Sequence, residues 1–269
     1  ETFRYLIDYV TWMAYAYPMF LLQLPLVTFI LLSTFRPEYE DLSRAVVKLR
    51  AEVAGQGPLK MSDWLAIFFF TIILAGWIGI SDEIGMGTVA VMGAVLFLST
   101  NLVRWEDLNN GVNWGVVLLY GAAISLGVQM KDTGAALWVA QNFLALLEPF
   151  GIKDGVGLWG AISVLTTVVT NTMSNGAAVA VLGPIVLKVS VVAQESPIII
   201  GFITAISSAF AYLTVVGTPA CTIVYAAGYL RATDFLKVGW KMCIVSILVM
   251  LTAAYLYWPL VENYTGASN

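Results

Sequence analysis

The stretch VVTNTMSNGAAVAVLGP, residues 168–184, decides how this chain can fold. Between Thr170 and Gly176 it places threonine, asparagine, serine and glycine residues almost back to back, and hydrocarbon side chains flank them on both sides. A polar cluster of this kind within an apolar stretch indicates either a loop or a binding site. The choice depends on the solvent that surrounds the chain.

The composition indicates an integral membrane protein. Hydrophobic residues make up 59% of the chain and charged residues 11%, and the mean hydropathy is +0.84. These values lie far outside the range of soluble domains. Several uncharged runs have the length of about 20 residues that a helical membrane crossing needs. The uncharged runs are residues 9–35, 64–81, 84–103, 108–130, 155–187, 196–230 and 242–261.

Two of these runs are too long for one crossing. A straight helix over residues 155–187 would be about 50 Å long, whereas the hydrocarbon core of a bilayer is about 30 Å thick. We therefore expect a break at the polar cluster in this run, and a second break at residues 217–219 in the run 196–230. Non-helical backbone at membrane depth is tolerated only where it is buried in protein or lines a watery cavity. Interrupted apolar segments of this kind point to the binding site of a transporter.

The distribution of lysine and arginine predicts the orientation of the chain. If successive runs alternate between the two sides of the membrane, nine basic residues lie on one side and four on the other. The positive-inside rule makes the richer side cytoplasmic. The run 155–187 then enters and leaves from the outside, and the C-terminus lies outside. We expect this membrane to be the plasma, or inner, membrane.

One loop has a helical periodicity of its own. Over residues 38–54, apolar side chains recur at helical spacing on one face and charged side chains occupy the other. We interpret this segment as an amphipathic helix along the cytoplasmic interface, although a soluble linker helix would have the same pattern. Residues 133–151 form a second short apolar segment, which we expect to lie horizontally on the outer side.

The two breaks carry groups suited to ions. An interrupted helix presents free N–H groups and partial positive charge at its N-terminal ends, and carbonyl oxygens at its C-terminal ends. Thr172, Ser174, Asn175 and Thr218 add neutral oxygens suited to sodium, and their hydroxyl and amide groups can donate to carboxylate or sulfate oxygens. Neither break contains aspartate or glutamate, and the chain has no histidine. A proton relay through titratable side chains therefore has little support.

Other polar residues fit ordinary roles. We expect Thr204, Ser207, Ser208 and Ser246 to bond to carbonyl groups of their own helices. The two cysteines have neither metal nor disulfide spacing. Because the sequence contains no phosphate loop, catalytic triad or zinc spacing, it does not favour an enzyme. We also expect no nucleic-acid partner.

Three segments resemble the divalent anion:sodium symporter family. SNGAAVAVLGP, residues 174–184, resembles the Ser-Asn-Thr-Ala hairpin-tip signature of that family and the proline that follows it. VVGTPACTIVYAAGYLRATDFLKVG, residues 215–239, resembles its Thr-Pro break and the start of its last helix. NWGVVLLYGAAISLGVQMKDTGAALWVA, residues 113–140, is similar to its preceding span and outer helix. The resemblance covers nearly the whole chain, but only the second half of the family's pattern.

The resemblance implies an all-α polytopic membrane protein that forms one of two inverted repeats of an elevator-type transporter. Each repeat has a re-entrant helical hairpin and a broken transmembrane helix. Members work as homodimers in the lipid bilayer, and the missing N-terminal repeat would belong to the same protein or to a second chain. The implied parts are a transport-domain span (1–35), a cytoplasmic amphipathic arm helix (36–61), scaffold spans (62–131), an outer horizontal helix (132–154), the transport domain with both breaks (155–241), and a last span with an external tail (242–269).

The resemblance also assigns site residues. The predicted substrate-binding residues are Ser174, Asn175, Gly176, Thr218 and Pro219. The predicted sodium ligands are Thr172, Ser174, Asn175, Gly217, Thr218 and Ala220. Gly176 stands where the signature has threonine, and Ala220-Cys221 stand where proline and asparagine are common, so two polar contacts are lost. Asn171 and Thr172 are candidate replacements for them.

Two functions from different classes remain open. The first is a sodium-coupled secondary transporter of small anions of the dicarboxylate, citrate or sulfate class, which works by an elevator mechanism. The second is a transporter-derived structural membrane subunit of a larger complex, without transport activity. Uptake of an anion by the complete assembly would distinguish them.

Overall fold

The computed structural model describes residues 7, 9–35, 43–111, 114–215 and 217–265, and all regular secondary structure in these residues is helical. The helices are α1 (Tyr9–Thr34), α2 (Ser43–Gln56), α3 (Met61–Gly79), α4 (Ser81–Ile84), α5 (Met86–Ser99), α6 (Trp105–Gly111), α7 (Trp114–Asp132), α8 (Ala135–Leu147), α9 (Gly155–Thr170), α10 (Asn175–Ala193), α11 (Pro197–Ser208), α12 (Pro219–Ala226), α13 (Ala232–Leu256) and α14 (Trp258–Thr265).

Several helices have the length and composition of membrane spans. Within the described ranges, α1, α3, α10 and the segment Ala232–Val261 are long and apolar enough to cross a bilayer. α5 has 14 residues, and at about 1.5 Å per residue it is shorter than the run 84–103 suggested. The expectation of an all-α, multi-pass integral membrane protein is therefore confirmed.

The chain divides into two compact units, one formed by residues 1–14 and 36–113 and the other by residues 15–35 and 114–269. In the first unit, α3 packs against α5, and the Trp77 indole donates to the carbonyl of Met86 at 3.1 Å. α2 extends over Ser43–Gln56, whereas the beginning of the predicted arm, residues 38–42, lies outside the described residues. The apolar side chains of Val46, Leu49 and Val53 on α2 are exposed.

The second unit is built around a helical hairpin. α9 and α10 are its two arms, and residues 171–174 form the tip between them. The Glu195 carboxylate closes the base, because it accepts from the backbone N–H of Gly155 and, at 3.1 Å, from the Trp159 indole. α10 extends to Ala193, beyond the predicted end at residue 187. The polar cluster thus interrupts the helix as expected.

A second interruption separates α11 from α12. α11 ends at Ser208, and α12 begins only at Pro219. The non-helical segment therefore starts well before the predicted break at residues 217–219. The described residues of this stretch, 209–215, 217 and 218, are called the unwound segment below. α11 packs against both hairpin arms, and α13 packs against α9 and α11, so that the unwound segment lies within the second unit.

The segment predicted to be the outer helix lies beside the hairpin. α8 ends at Leu147 and is followed by a 3-10 turn over Glu148–Phe150. The chain then turns by 118° into α9. α8 and α7 both contact α10. The hairpin is therefore supported on several sides, which fixes the position of its tip.

Candidate functional site

The hairpin breaks at its tip because a side chain replaces part of the missing helical bonding. Ser174 has an extended backbone (φ −65°, ψ 151°) and its hydroxyl accepts from the N–H of Ala177 at 3.3 Å. This is the usual capping bond at a helix start. The cap ends one helix and begins another, so the C-terminal end of α9 and the N-terminal end of α10 are neighbours.

Asn171 connects the tip to the unwound segment. Its side-chain nitrogen donates to the carbonyls of Thr167 at 2.7 Å and Phe210 at 3.2 Å, and its side-chain oxygen accepts from the N–H of Leu213 at 2.8 Å. The backbone carbonyl of Asn171 accepts from the Thr214 hydroxyl at 2.9 Å. Because Asn171 is buried, these bonds satisfy backbone groups that would otherwise have no partner in an apolar environment.

α13 holds the unwound segment from another side. A Cβ atom on Gly239 would collide with the backbone carbonyl of Tyr212, so only glycine allows this close approach. One turn further along α13, the Cys243 thiol donates to the carbonyl of Phe210 at 3.3 Å. The unwound segment is therefore clamped between the hairpin tip and α13.

A polar group on α1 completes this clamp. Gln23, which belongs to the same compact unit, donates to the hydroxyls of Tyr212, at 3.0 Å, and Ser246. Sequence reasoning did not select Gln23, although it is the one amide side chain in the apolar stretch 9–34. An amide inside a membrane helix usually bonds to another helix, and that signal was available.

Serines and threonines near the breaks divide into two groups. Thr204 and Ser208 donate to carbonyls of their own helix, as expected. For Ser207 and Ser246 the expectation was wrong. The Ser207 hydroxyl lies 2.7 Å from the hydroxyl of Ser163 on α9, and Ser246 accepts from Gln23. These hydroxyls join helices because each faces a polar group across a buried interface.

The central feature of the site is the amide of Asn175. Its inner atom lies 2.8 Å from the carbonyl oxygen of Gly217, 3.0 Å from that of Ser208 and 3.0 Å from the Thr170 hydroxyl. Amide orientation is assigned from hydrogen bonding. With nitrogen inward, the amide donates to these oxygens; with oxygen inward, four oxygens converge, an arrangement that a cation would stabilise.

These contacts bring four helix ends together. Thr170 ends α9 and Ser208 ends α11, and the Thr170 hydroxyl donates to the carbonyl of Ser208 at 2.6 Å. Asn175 begins α10, and Gly217 lies just before the start of α12. Two C-terminal ends, with partial negative charge, therefore meet two N-terminal ends, with partial positive charge. This geometry offers carbonyl oxygens to a cation and N–H groups to an anion.

The structure brings part of the predicted site together. Asn175 and Gly217, which come from different breaks, are in direct contact. Gly217 is buried, and a Cβ atom there would lie 2.6 Å from the Ala211 side chain, so the approach requires glycine. Ser174 and Gly176 flank Asn175 in the sequence and share the first turn of α10 with it. Ser174 is exposed and serves as the helix cap.

Other predicted residues lie at the edge of this site or outside it. Thr218 is half-buried and precedes the first turn of α12, and its hydroxyl does not cap that helix. Pro219 occupies the first turn of α12, where its missing N–H is tolerated. Ala220 is exposed. Thr172 is also exposed, and it donates to the carbonyl of Val169 in the last turn of α9 at 2.7 Å.

Two oxygen-bearing groups were missed by sequence reasoning. The Thr170 side chain is buried and contacts the Asn175 amide, and the Ser208 carbonyl completes the same cluster. Thr170 was the first residue of the polar cluster in the sequence, so its position was a usable signal. No residue type marks the Ser208 carbonyl, because a backbone oxygen becomes available wherever a helix ends.

An apolar cavity lies beside α12. It has a volume of about 270 Å³ and its lining includes Leu31, Tyr212, Cys221, Val224 and Met242. This mainly apolar lining, which also includes the carboxylate of Asp234, offers an anion few donors. The polar groups at the meeting of the four helix ends are therefore the better candidate site.

The chain matches a family of known proteins over almost its whole length. The family described as "Sodium:sulfate symporter transmembrane region" matches residues 3–263 of the chain. An uncharacterized transporter of Haemophilus influenzae is 24% identical over 257 residues, covering 92% of this chain and 55% of that protein. A sodium-dependent high-affinity dicarboxylate transporter 3 of Caenorhabditis elegans is 25% identical over 296 residues, covering 97% and 52%.

A third relative has a similar identity and coverage. The sodium-dependent dicarboxylate transporter SdcS of Staphylococcus saprophyticus is 24% identical over 271 residues, covering 94% of this chain and 51% of its own length. The chain thus spans about half the length of these relatives. The family and these relatives are transporters and not enzymes. Since the family match extends over almost every residue, the chain belongs to the sodium:sulfate symporter transmembrane family.

Proposed function

We propose that this chain forms part of a sodium-coupled secondary transporter of small anions. The observation that carries the proposal is the contact of the Asn175 amide with the C-terminal ends of α9 and α11 and with Gly217, two residues before α12. Interrupted helices that meet in this way are the usual construction of ion and substrate sites in secondary transporters. The family and relatives support the same class of activity.

The sodium ligands in this proposal are four neutral oxygens. They are the Thr170 hydroxyl, the Asn175 side-chain oxygen, and the carbonyls of Ser208 and Gly217. The three oxygens around the inner amide atom lie 2.8 to 3.0 Å from it, so small shifts would admit a cation. Unwound backbone and helix C-termini coordinate sodium in other transporters. Thr172, predicted from the sequence as a ligand, is exposed and its hydroxyl donates to the carbonyl of Val169 instead.

The anion would lie at the N-terminal ends of α10 and α12. The first N–H groups of a helix have no partner within the helix, and the dipole favours negative charge there. Ser174 and Gly176 at one end, with Thr218 and Ala220 at the other, contribute backbone N–H groups, and the two hydroxyls add further donors. Because Gly176 and Ala220 carry no polar side chain, backbone groups would make most of the contacts. A dicarboxylate, citrate or sulfate fits this donor set.

The lack of charged groups at the proposed site gives a physical reason why sodium binding and anion binding would be coupled. In the described part of the chain, the buried polar side chains are serines, threonines and Asn171. Sodium bound among such groups has no fixed carboxylate to balance its charge. An anion bound at the adjacent N-terminal ends would balance it, because unlike charges attract strongly where water is excluded. Each ion would therefore strengthen the binding of the other.

The wider architecture is part of the proposal. Residues 155–241 would form the moving domain together with the span 1–35 and the last span, 242–269. The scaffold (62–131) and the arm segments (36–61 and 132–154) would stay fixed. The missing half would supply an inverted repeat with its own hairpin, and two copies would form an elevator-type dimer. We place the protein in the plasma, or inner, membrane with the C-terminus outside.

The depth of the site agrees with this arrangement. α9 has 16 residues and α11 has 12, which corresponds to about 24 Å and 18 Å of helix. A bilayer with its headgroups is about 40–45 Å thick. Helices that start at the outer surface would therefore bring Thr170 and Ser208 close to the midplane.

Uptake by the complete transporter tests the proposed function. The transporter that contains this chain is reconstituted in proteoliposomes and given radiolabelled succinate, citrate or sulfate. An inward gradient of sodium, but not of potassium or protons, should drive accumulation of at least one anion. Equal uptake with a proton gradient would contradict sodium coupling. No uptake of any anion by a complete, folded assembly would favour the transporter-derived structural subunit.

A further inference from the structure

We propose that the Asn175 amide works in two orientations, and that its nitrogen takes the place of sodium at the four helix ends when no ion is bound. This inference rests on the proposed sodium site. It concerns the state in which the transporter returns across the membrane without cargo.

Without a cation the surroundings favour one orientation of the amide, because the inner end faces hydrogen-bond acceptors and the outer end faces donors, so that nitrogen inward satisfies both ends. Sodium at the inner position would reverse this preference. The same inner position lies within 3.0 Å of the Thr170 hydroxyl and of the carbonyls of Ser208 and Gly217. An amide nitrogen at this position donates to the surrounding oxygens, whereas an amide oxygen becomes one more ligand for a cation. The two ends of the amide have nearly the same shape, so a half-turn about the last side-chain bond exchanges them. The backbone of the hairpin tip does not need to move.

The exchange keeps the two breaks joined with or without sodium. With neither a cation nor a donor, the carbonyl ends of α9 and α11 would face each other with partial negative charge. The Asn175 nitrogen removes this repulsion, because its hydrogens carry partial positive charge. The empty site would therefore stay closed, which a carrier needs in order to cross the membrane empty. The nitrogen-inward state also competes with sodium and lowers its apparent affinity.

Asn175→Asp separates the two roles of the side chain. A carboxylate supplies oxygen to sodium but has no nitrogen to replace it. Without sodium, the hairpin tip of the variant should detach from the unwound segment. With sodium, the contact should reform, and the affinity for sodium should be at least about tenfold tighter than in the wild type because the competing state is lost. The matched control is Asn142→Asp, since Asn142 is exposed on α8 and bonds to the carbonyl of Trp138 in the same helix.

Hydrogen–deuterium exchange of the unwound segment in the complete transporter tests this inference. Wild type and the Asn142→Asp control should show slow exchange in choline chloride and in sodium chloride alike. Asn175→Asp should exchange at least about tenfold faster in choline and return to slow exchange in sodium. Fast exchange of the wild type in choline would overturn the inference, and this result needs no variant. Binding of radioactive sodium is measured on the same samples. If the wild type binds no sodium, the proposed site and this inference both fail, whereas sodium binding combined with fast exchange in choline refutes the inference alone.

Discussion

The side-chain oxygen of Asn171 accepts the backbone N–H of Leu213 at 2.8 Å, although 42 positions separate the two residues. The nitrogen of the same side chain donates to the carbonyl of Phe210. One buried amide therefore satisfies two backbone groups of the unwound segment that no helix can satisfy. The hairpin tip and the unwound segment are consequently parts of one hydrogen-bonded structure.

Asn171→Ala should destabilise this structure strongly. The N–H of Leu213 would lose its partner and the carbonyl of Phe210 would keep only the Cys243 thiol, and the loss of such a bond is associated with about 1–3 kcal/mol. We expect the free energy of unfolding to fall by about 2–4 kcal/mol in total, measured by denaturation of the purified protein in detergent. Asn142→Ala, at an exposed position of α8, should change it by less than about 0.5 kcal/mol. Equal effects of the two substitutions would mean that Asn171 does not stabilise the contact between the hairpin tip and the unwound segment.

Gly239→Ala should disturb the clamp from the other side. The added methyl group would collide with the carbonyl of Tyr212, and overpacking of this kind costs about 1–3 kcal/mol. The unwound segment should shift, so sodium-driven uptake should fall as well as stability. Gly201→Ala on α11 is the matched control, because its Cβ atom would meet no atom within 4 Å. If Gly239→Ala leaves both uptake and stability at the control level, α13 does not fix the segment.

The arm helix α2 should lie in the membrane interface. Leu49 is 64% exposed and lies on the apolar face, whereas Arg50 lies on the charged face. In a variant with serine at both native cysteines, a spin label at Leu49→Cys should collide mainly with oxygen, which dissolves in lipid. A label at Arg50→Cys should collide mainly with a water-soluble nickel complex. The same preference at both positions would indicate a soluble linker helix instead.

Sequence reasoning located the breaks but not all of their contacts. The hairpin tip was recognisable because a polar cluster interrupts an apolar run too long for one crossing. Asn175 and Gly217 were selected from the two breaks, and they are in contact. Their contact could not be derived from spacing, since it depends on how α9, α10 and α11 pack.

The start of the unwound segment was not predictable for a physical reason. Residues 209–213 read AFAYL, an apolar pattern typical of a membrane helix. The helix ends there because Asn171 and Cys243, which are distant in sequence, take over the backbone groups of Phe210 and Leu213. Asn171 was considered a replacement ligand, but its side chain is fully engaged with the backbone. Tertiary hydrogen bonds thus override the local helical preference.

Sodium binding by Thr170→Val, compared with Thr172→Val, tests the central claim most directly. The two substitutions are chemically identical and only two positions apart, but Thr170 contacts the Asn175 amide whereas Thr172 is exposed and bonds to the carbonyl of Val169. In the complete transporter, Thr170→Val should weaken sodium binding roughly tenfold to a hundredfold, the usual penalty of a lost buried partner. The affinity for the anion should fall with it, because linkage between two binding sites is reciprocal. Thr172→Val should bind sodium like the wild type. Unchanged sodium affinity in a folded Thr170→Val protein would contradict a sodium site at the four helix ends.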